Sequence, residues 1–372
     1  MRRGATRQAA WWLIPLCAWL VDLAFVLFVQ QSQPVRDENV FYPAARAFAQ
    51  AGIFPRLEFI RHYPAPQAPL GLYLAGRLLL LSPRLVTLRI ANGLLMGGAL
   101  LCFSRFAWRR FGRNALLATM LLALNPYFHL VATHFYTDAL YFSFVVLIVT
   151  RVPGAGLWLA LAPLTRQFGV IFAFGEALHA LIERQFRRAG LALLALLPLA
   201  ALFLLWRGFA PATPRASILT SVHSVYGWFF PYVAAYHVAA LGCYLLPITW
   251  RIPHSRSYWT CAALFGFLYL LAPAHRNFSA ELAQSGVETL GFVHRAALLL
   301  GPRLSQGVLF VLACLGGGLI GEGLAVPSSA GFSVGAFVLL SAFNFQAWDK
   351  YLLDALPALL VALCSRSTLA PR

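Results

Sequence analysis

An all-α polytopic membrane protein of about twelve transmembrane helices is the fold class this sequence predicts, and three observations predict it. The 372 residues are 60% hydrophobic and only 11% charged, with a mean hydropathy of +0.72, where a soluble domain is roughly 45–50% apolar. Apolar runs recur along the whole chain, separated by short polar loops. The one long loop, residues 31–85, carries amphipathic segments of its own.

The first run, Trp11 to Gln30, follows an arginine-rich start and is interrupted only by Asp22. Its length suits a hydrocarbon core of about 30 Å. It lacks the short apolar region and small-residue cleavage site of a signal peptide, so a retained first span is expected. Further runs fall at 86–106, 115–131, 137–150, 189–206, 226–248, 258–273, 304–320, 331–345 and 351–364. The stretch 154–182 is broken by TRQFG and reads as two short helices meeting at the break. Runs too short to span must end in a protein-lined cavity or in thinned bilayer.

Within the long loop, Val40, Phe41, Ala44, Ala47, Phe48 and Ala51 recur at helical spacing, as in a helix lying on the membrane interface. PLGLYLAGRLLLL at 69–81 is short for a span and is closed by Pro83, Arg84 and Arg89, so a second interface helix is expected. The chain shows no repeat, no low-complexity tract and no soluble domain. Residues 1–372 therefore read as one membrane domain with 31–85 as its external loop.

The net charge of +17 comes from 28 arginines and a single lysine, Lys350, against 12 acids. In a membrane protein that balance anchors loops and contacts anionic lipid rather than nucleic acid. Arginine clusters at 1–7, 105–113, 183–188, 250–256 and 365–372 fall on one side of the layout, which the positive-inside rule makes cytoplasmic. The six cysteines lie in apolar segments without metal-type spacing and read as small core residues.

The distinctive polar groups fall on the opposite, external side: Asp37 and Glu38; Tyr136, Thr137 and Asp138; Arg166 and Gln167; His223; Arg276 and Asn277; and Trp348, Asp349 and Lys350. Ionisable groups at helix ends in a membrane are costly unless paired or facing water, which suggests a shared cavity. Each has a structural alternative. Asp37 and Asp138 could cap helices, Arg166 could pair with Asp138, the histidines could be satisfied surface groups, and Lys350 and Trp348 could be interface anchors. His129 and His134 are off one helical face, against a metal pair. Phosphate-loop, dinucleotide, zinc-protease and hydrolase-elbow motifs are absent.

RDENVFYPAARAF, APLGLYL, LRIAN, NPYFHLVATHFYTDAL, LTRQFGVIF and LAPAHRNFSA, in that order, resemble the GT-C superfamily of polytopic glycosyltransferases. Within it they look most like the dolichyl-phosphate-glucose-dependent alpha-1,2-glucosyltransferase family. The resemblance covers mainly residues 36–170. It implies an inverting transfer of a sugar from a polyprenyl-phosphate donor to an acceptor hydroxyl on a glycan, lipid or protein. Asp37 would be the base, with Glu38 second, and Arg166, Arg276, Lys350 and His223 would stabilise the leaving phosphate. Tyr136, Asp138 and Gln167 would orient sugar hydroxyls or the arginine, and Phe41, Phe48 and Tyr73 would border the groove for the prenyl chain. The resemblance implies no particular cofactor. A divalent cation is left open, since external acids could hold one although no spacing demands it. The arginine bias suits a high-GC bacterial protein, with the inner membrane as its location and the periplasm as its external side. The competing readings are a lipid-linked sugar transporter or flippase, against which the missing repeat and midplane charges argue, and a hydrolase or polymerase of lipid-linked glycans.

Overall fold

The computed structural model describes residues 9–30, 32–112, 114–214, 228–252, 254–274, 290–344 and 349–369. Among the described residues every regular element is helical. In chain order these are α1 (Leu13–Phe28), α2 (Glu38–Gln50), α3 (Leu57–His62), α4 (Pro69–Leu81), α5 (Leu85–Phe111), α6 (Asn114–Ala123), α7 (Pro126–Thr133), α8 (Asp138–Val149), α9 (Ala155–Thr165) and α10 (Val170–Ile182). They continue as α11 (Phe186–Leu194), α12 (Leu197–Trp206), α13 (Pro231–Tyr244), α14 (Leu246–Thr249), α15 (Arg256–Leu271), α16 (Phe292–Leu298), α17 (Pro302–Leu324), α18 (Ser329–Ser341) and α19 (Leu356–Leu369).

The protein is an integral membrane protein. Leu85–Phe111, Phe186–Trp206 and Pro302–Leu324 are long and apolar enough to cross a bilayer. Ala115–Ala123 and Pro126–Thr133 would make a fourth span, bent by 58°. The bend follows from sequence: Pro126 lacks the N–H that would continue α6, and the Asn125 side chain caps the new helix by accepting from Tyr127 N at 2.9 Å. Other apolar helices, α1, α4, α8, α9 and α18 among them, are 10–17 residues long. Among the described residues, length and composition thus mark three full spans, or four with the bent pair.

The chain divides into two compact units, residues 1–173 with 190–217, and residues 174–189 with 218–372. In the first, α5 is the central post, packed by α1, α6, α7 and α8. Its 27 residues extend about 40 Å at 1.5 Å per residue, so Arg89 near its start and the Arg105–Arg110 cluster lie toward opposite ends. In the second, α17 packs closely on α13 and α15 through its run of glycines. All six cysteines are free thiols.

The loop helices show two features that apolar spacing does not indicate. The sequence sets Arg89 as a closing charge after 69–81, but α5 begins at Leu85 and takes Arg89 inside it, buried at 2% exposure. And α4 packs along α2: a Cβ on Gly76 would come within 2.9 Å of the Ala45 carbonyl oxygen and the Ala49 nitrogen. The apolar face of α2, Phe41, Ala44 and Phe48, is consequently buried. Phe48 meets Phe59, Tyr63 and Tyr73 with ring centroids 4.9, 5.1 and 6.4 Å away. Phe41 and Phe48 are thus core side chains and do not line an open groove.

Candidate functional site

The site is built in the first unit where three helices begin. α2 opens at Asp37-Glu38, immediately after Arg36, which holds a left-handed backbone at φ 52°. A non-glycine residue there costs of order 1–3 kcal/mol and marks a turn that the surrounding structure enforces. The enforcing contacts are on Glu38. Its Oε1 accepts from Arg89 Nε at 2.8 Å and Phe135 N at 2.7 Å; its Oε2 accepts from Arg89 Nη2 at 2.6 Å and Val35 N at 2.9 Å. Glu38 is wholly buried. Burial alone would raise its carboxyl, but the Arg89 guanidinium and the two backbone N–H groups outweigh it and hold the group below its ordinary value of 4.5.

Glu38, expected as the second candidate base, is therefore corrected to a locking residue, because its oxygens carry four hydrogen bonds and no exposed surface. Asp37 differs. It is half-buried, and at the start of α2 it makes no side-chain capping bond; its backbone is already helical at φ −65°, ψ −16°. The capping alternative for Asp37 is absent, although the positive end of α2 still favours negative charge there.

The turn before α8 completes the cluster. Asn92, one turn beyond Arg89 on α5, donates Nδ2 to the carbonyls of His134 and Tyr136, each at 2.8 Å. One helix face thus pins both α2 and the 134–136 turn. Tyr136 is buried against Phe41, ring centroids 6.0 Å apart. Its phenol is pushed well above the ordinary range by burial first, then by the nearby charges of Asp37 and Asp138, with Arg36 opposing. Tyr136 keeps its proton. Burial likewise depresses His134.

The break at TRQFG brings two more expected residues to this unit. α9 ends at Thr165, Arg166 is extended at φ −143°, and a 3-10 turn follows at Gln167–Gly169. Arg166 donates Nη1 to Asp138 Oδ1, both residues buried. The structural alternative for this pair, an ion pair, is present. Gln167 donates Nε2 to the carbonyls of Pro66 at 2.7 Å and Phe209 at 3.3 Å, so its amide ties down the HYPAPQAP loop.

Lys350 belongs to the second unit, in a buried 3-10 turn, Asp349–Asp354. Its ammonium lies 5.6 Å from the Tyr351 ring centroid. Asp349 beside it accepts from Tyr236 Oη, from Tyr244 Oη at 2.9 Å and from Val293 N at 3.0 Å. Burial pushes the Asp349 carboxyl up against these bonds. His223, Arg276, Asn277 and Trp348 lie outside the described residues. Among the described residues no group of three or more His, Cys, Asp and Glu could hold a metal ion.

Of the residues expected on one external face, Asp37, Tyr136, Asp138, Arg166 and Gln167 lie in the first unit and Lys350 in the second, and Arg89 and Asn92 were not among them. Their signal was available: an arginine and an asparagine three residues apart in an apolar run share a helix face and need partners.

No protein-family model matches the chain, and no curated protein matches its sequence. Among solved structures, the fold is similar to that of ArnT from Cupriavidus metallidurans bound to undecaprenyl phosphate, with a TM-score of 0.50 and 15% identity over 99% of this chain. This chain spans 61% of the length of that one.

Proposed function

We propose that the protein is an inverting membrane glycosyltransferase of GT-C type that moves a sugar from a polyprenyl-phosphate donor to an acceptor hydroxyl. The observation that carries the reading is the Glu38–Arg89 lock. It ties the start of α2, where the half-buried Asp37 stands, to the turn that carries Tyr136, in the unit that also holds the Asp138–Arg166 pair, within a fold like that of a protein solved with undecaprenyl phosphate.

On this reading the Asp37 carboxylate takes the proton of the acceptor hydroxyl as that oxygen bonds to the anomeric carbon. The bond from that carbon to the phosphate oxygen breaks on the opposite face, and its electron pair leaves with the lipid phosphate. Such a leaving group needs little acid assistance, so one base suffices. Arg166, held by Asp138, supplies positive charge where the phosphate charge builds up. Tyr136, still protonated, is a hydroxyl donor toward the sugar or the acceptor. A buried Lys350, His223 and Arg276 are further candidates for phosphate contacts. The finer expectations are carried as part of this proposal: the inner membrane as location, the periplasmic face as the reaction side, and kinship with the alpha-1,2-glucosyltransferases.

Mass spectrometry of cell-envelope glycans with and without the gene tests the reading. It expects one sugar residue to disappear, identifying donor and acceptor together. An unchanged envelope glycan profile, with lipid-linked sugars trapped on one face of the membrane, would favour a transporter.

A further inference from the structure

A cavity of about 330 Å³ opens in the second unit where the start of α15 meets the end of α17. Arg256, Ser257, Thr260 and Cys261 of α15 form one wall, and Gly321 and Leu324 of α17 stand across from them. The helices approach closely there: a Cβ on Gly321 would lie 2.5 Å from the Ser257 carbonyl oxygen and 2.8 Å from Cys261 Cβ. The polar part of the wall is uncommitted. Among the described residues the side chains of Arg256, Ser257 and Thr260 make no hydrogen bond or ion pair. The helix start itself is already used, since Ser255 N donates to Glu322 Oε1 at 2.6 Å and Tyr258 N donates to Ser255 Oγ at 3.4 Å. Glu322 is buried and is not part of the wall. The cavity therefore presents one guanidinium, two hydroxyls and an apolar side, with no acid.

We propose that this cavity binds the headgroup of an anionic glycerophospholipid, with Arg256 on the phosphate and the Ser257 and Thr260 hydroxyls on the phosphate or the headgroup glycerol. Position supports a lipid. Trp250 and Trp259 are 79% and 60% exposed, as side chains at the headgroup level of a bilayer are. Farther along α15, Leu264, Phe267 and Leu268 are exposed, a surface suited to acyl chains. Arg256 closes the 250–256 arginine cluster, one of the five that the positive-inside rule assigns to the cytoplasmic side, and basic pockets between helices on that side suit anionic headgroups. Charge selects among lipids. The guanidinium favours a phosphate, while the wall has no carboxylate to receive the ammonium of a zwitterionic headgroup. Leu324 and Cys261 give the ligand an apolar neighbour that a free inorganic anion would not use.

The test is native mass spectrometry of the full chain in detergent, titrated with phosphatidylglycerol, with phosphatidylcholine, and with phosphatidylglycerol in the presence of excess inorganic phosphate. The wild type is expected to hold phosphatidylglycerol more tightly than phosphatidylcholine and to keep it against inorganic phosphate. Arg256→Gln is expected to weaken phosphatidylglycerol about tenfold, the loss of a charge-assisted contact, and the double variant Ser257→Ala with Thr260→Val to weaken it as well. Arg251→Gln removes an equal charge from the same cluster outside the cavity and is expected to change the affinity by no more than about twofold, the effect of an exposed and screened charge. Equal losses in Arg251→Gln and Arg256→Gln would overturn the site in favour of diffuse surface charge. Equal affinity of the wild type for the two lipids would overturn it too, and displacement of phosphatidylglycerol by inorganic phosphate would replace the lipid with a free anion.

Discussion

Arg89 grips Glu38 with two nitrogens of its guanidinium, Nε on Oε1 at 2.8 Å and Nη2 on Oε2 at 2.6 Å, and both residues are cut off from solvent. The pair joins the start of α2, where Asp37 stands, to the long helix α5, whose Asn92 holds the 134–136 turn. Geometry at the candidate base thus depends on residues that need not touch substrate.

Breaking that pair from one side leaves a buried charge alone. Glu38→Gln and Arg89→Met are each expected to destabilise the protein by about 3–5 kcal/mol, read as a lowered midpoint in thermal unfolding of the detergent-solubilised protein. Arg89→Lys, which keeps the charge but loses the two-pronged grip, should fall between them and wild type. Midpoints unchanged in all three would show that the pair does not hold the fold.

The same carboxyl gives the stability a pH signature. Glu38 is held below its unfolded value of 4.5, so the folded state releases its proton more readily than the unfolded chain. Its contribution is present above pH 4.5 and is lost as pH falls through the lower folded value. Wild type should lose stability steeply below about pH 4.5, and Glu38→Gln should show a flatter acid limb in the same titration. An acid limb of equal steepness in both would contradict the assignment.

Arg166 and Asp138 act as a unit. Arg166→Ala is expected to weaken use of the lipid-phosphate donor more than use of the acceptor. Combined with Asp138→Asn it should be non-additive, with a coupling of about 1–3 kcal/mol in a double-mutant cycle on kcat/KM. Additive effects, or a defect confined to the acceptor, would move the phosphate role elsewhere.

The contact of α2 with α4 has no room for a methyl group at Gly76. Gly76→Ala is expected to cost about 1–3 kcal/mol through overpacking against the α2 backbone, with Gly98→Ala, also inside a helix but with nothing within 4 Å of the added Cβ, as a control for the change in helix propensity alone. Matching losses in the two would assign the Gly76 effect to something other than that contact.

The sequence made much of this legible, for physical reasons that differ by residue. Helical spacing of Phe41, Ala44 and Phe48 marked the buried face of α2, because burial of one face is what that period records. The break at Arg166 was visible because glycine and polar residues interrupted an apolar run. Its pairing with Asp138 was legible only as an alternative, since partners 28 residues apart are chosen by tertiary packing. Spacing could not separate the two neighbouring acids, because a left-handed turn at Arg36 sends one inward to Arg89 and leaves the other half-buried. Nor could it show that α4 packs on α2, because a partner at the glycine face of α4 leaves no mark in apolar periodicity.

The account stands or falls on Asp37. Purified wild type and Asp37→Asn, reconstituted in vesicles with a polyprenyl-phosphate-sugar donor and the acceptor identified from the envelope glycans, should bind undecaprenyl phosphate equally. Transfer by the variant should fall about 10²–10⁴-fold, the contribution of a positioned general base. Transfer at a near wild-type rate by Asp37→Asn would contradict the account.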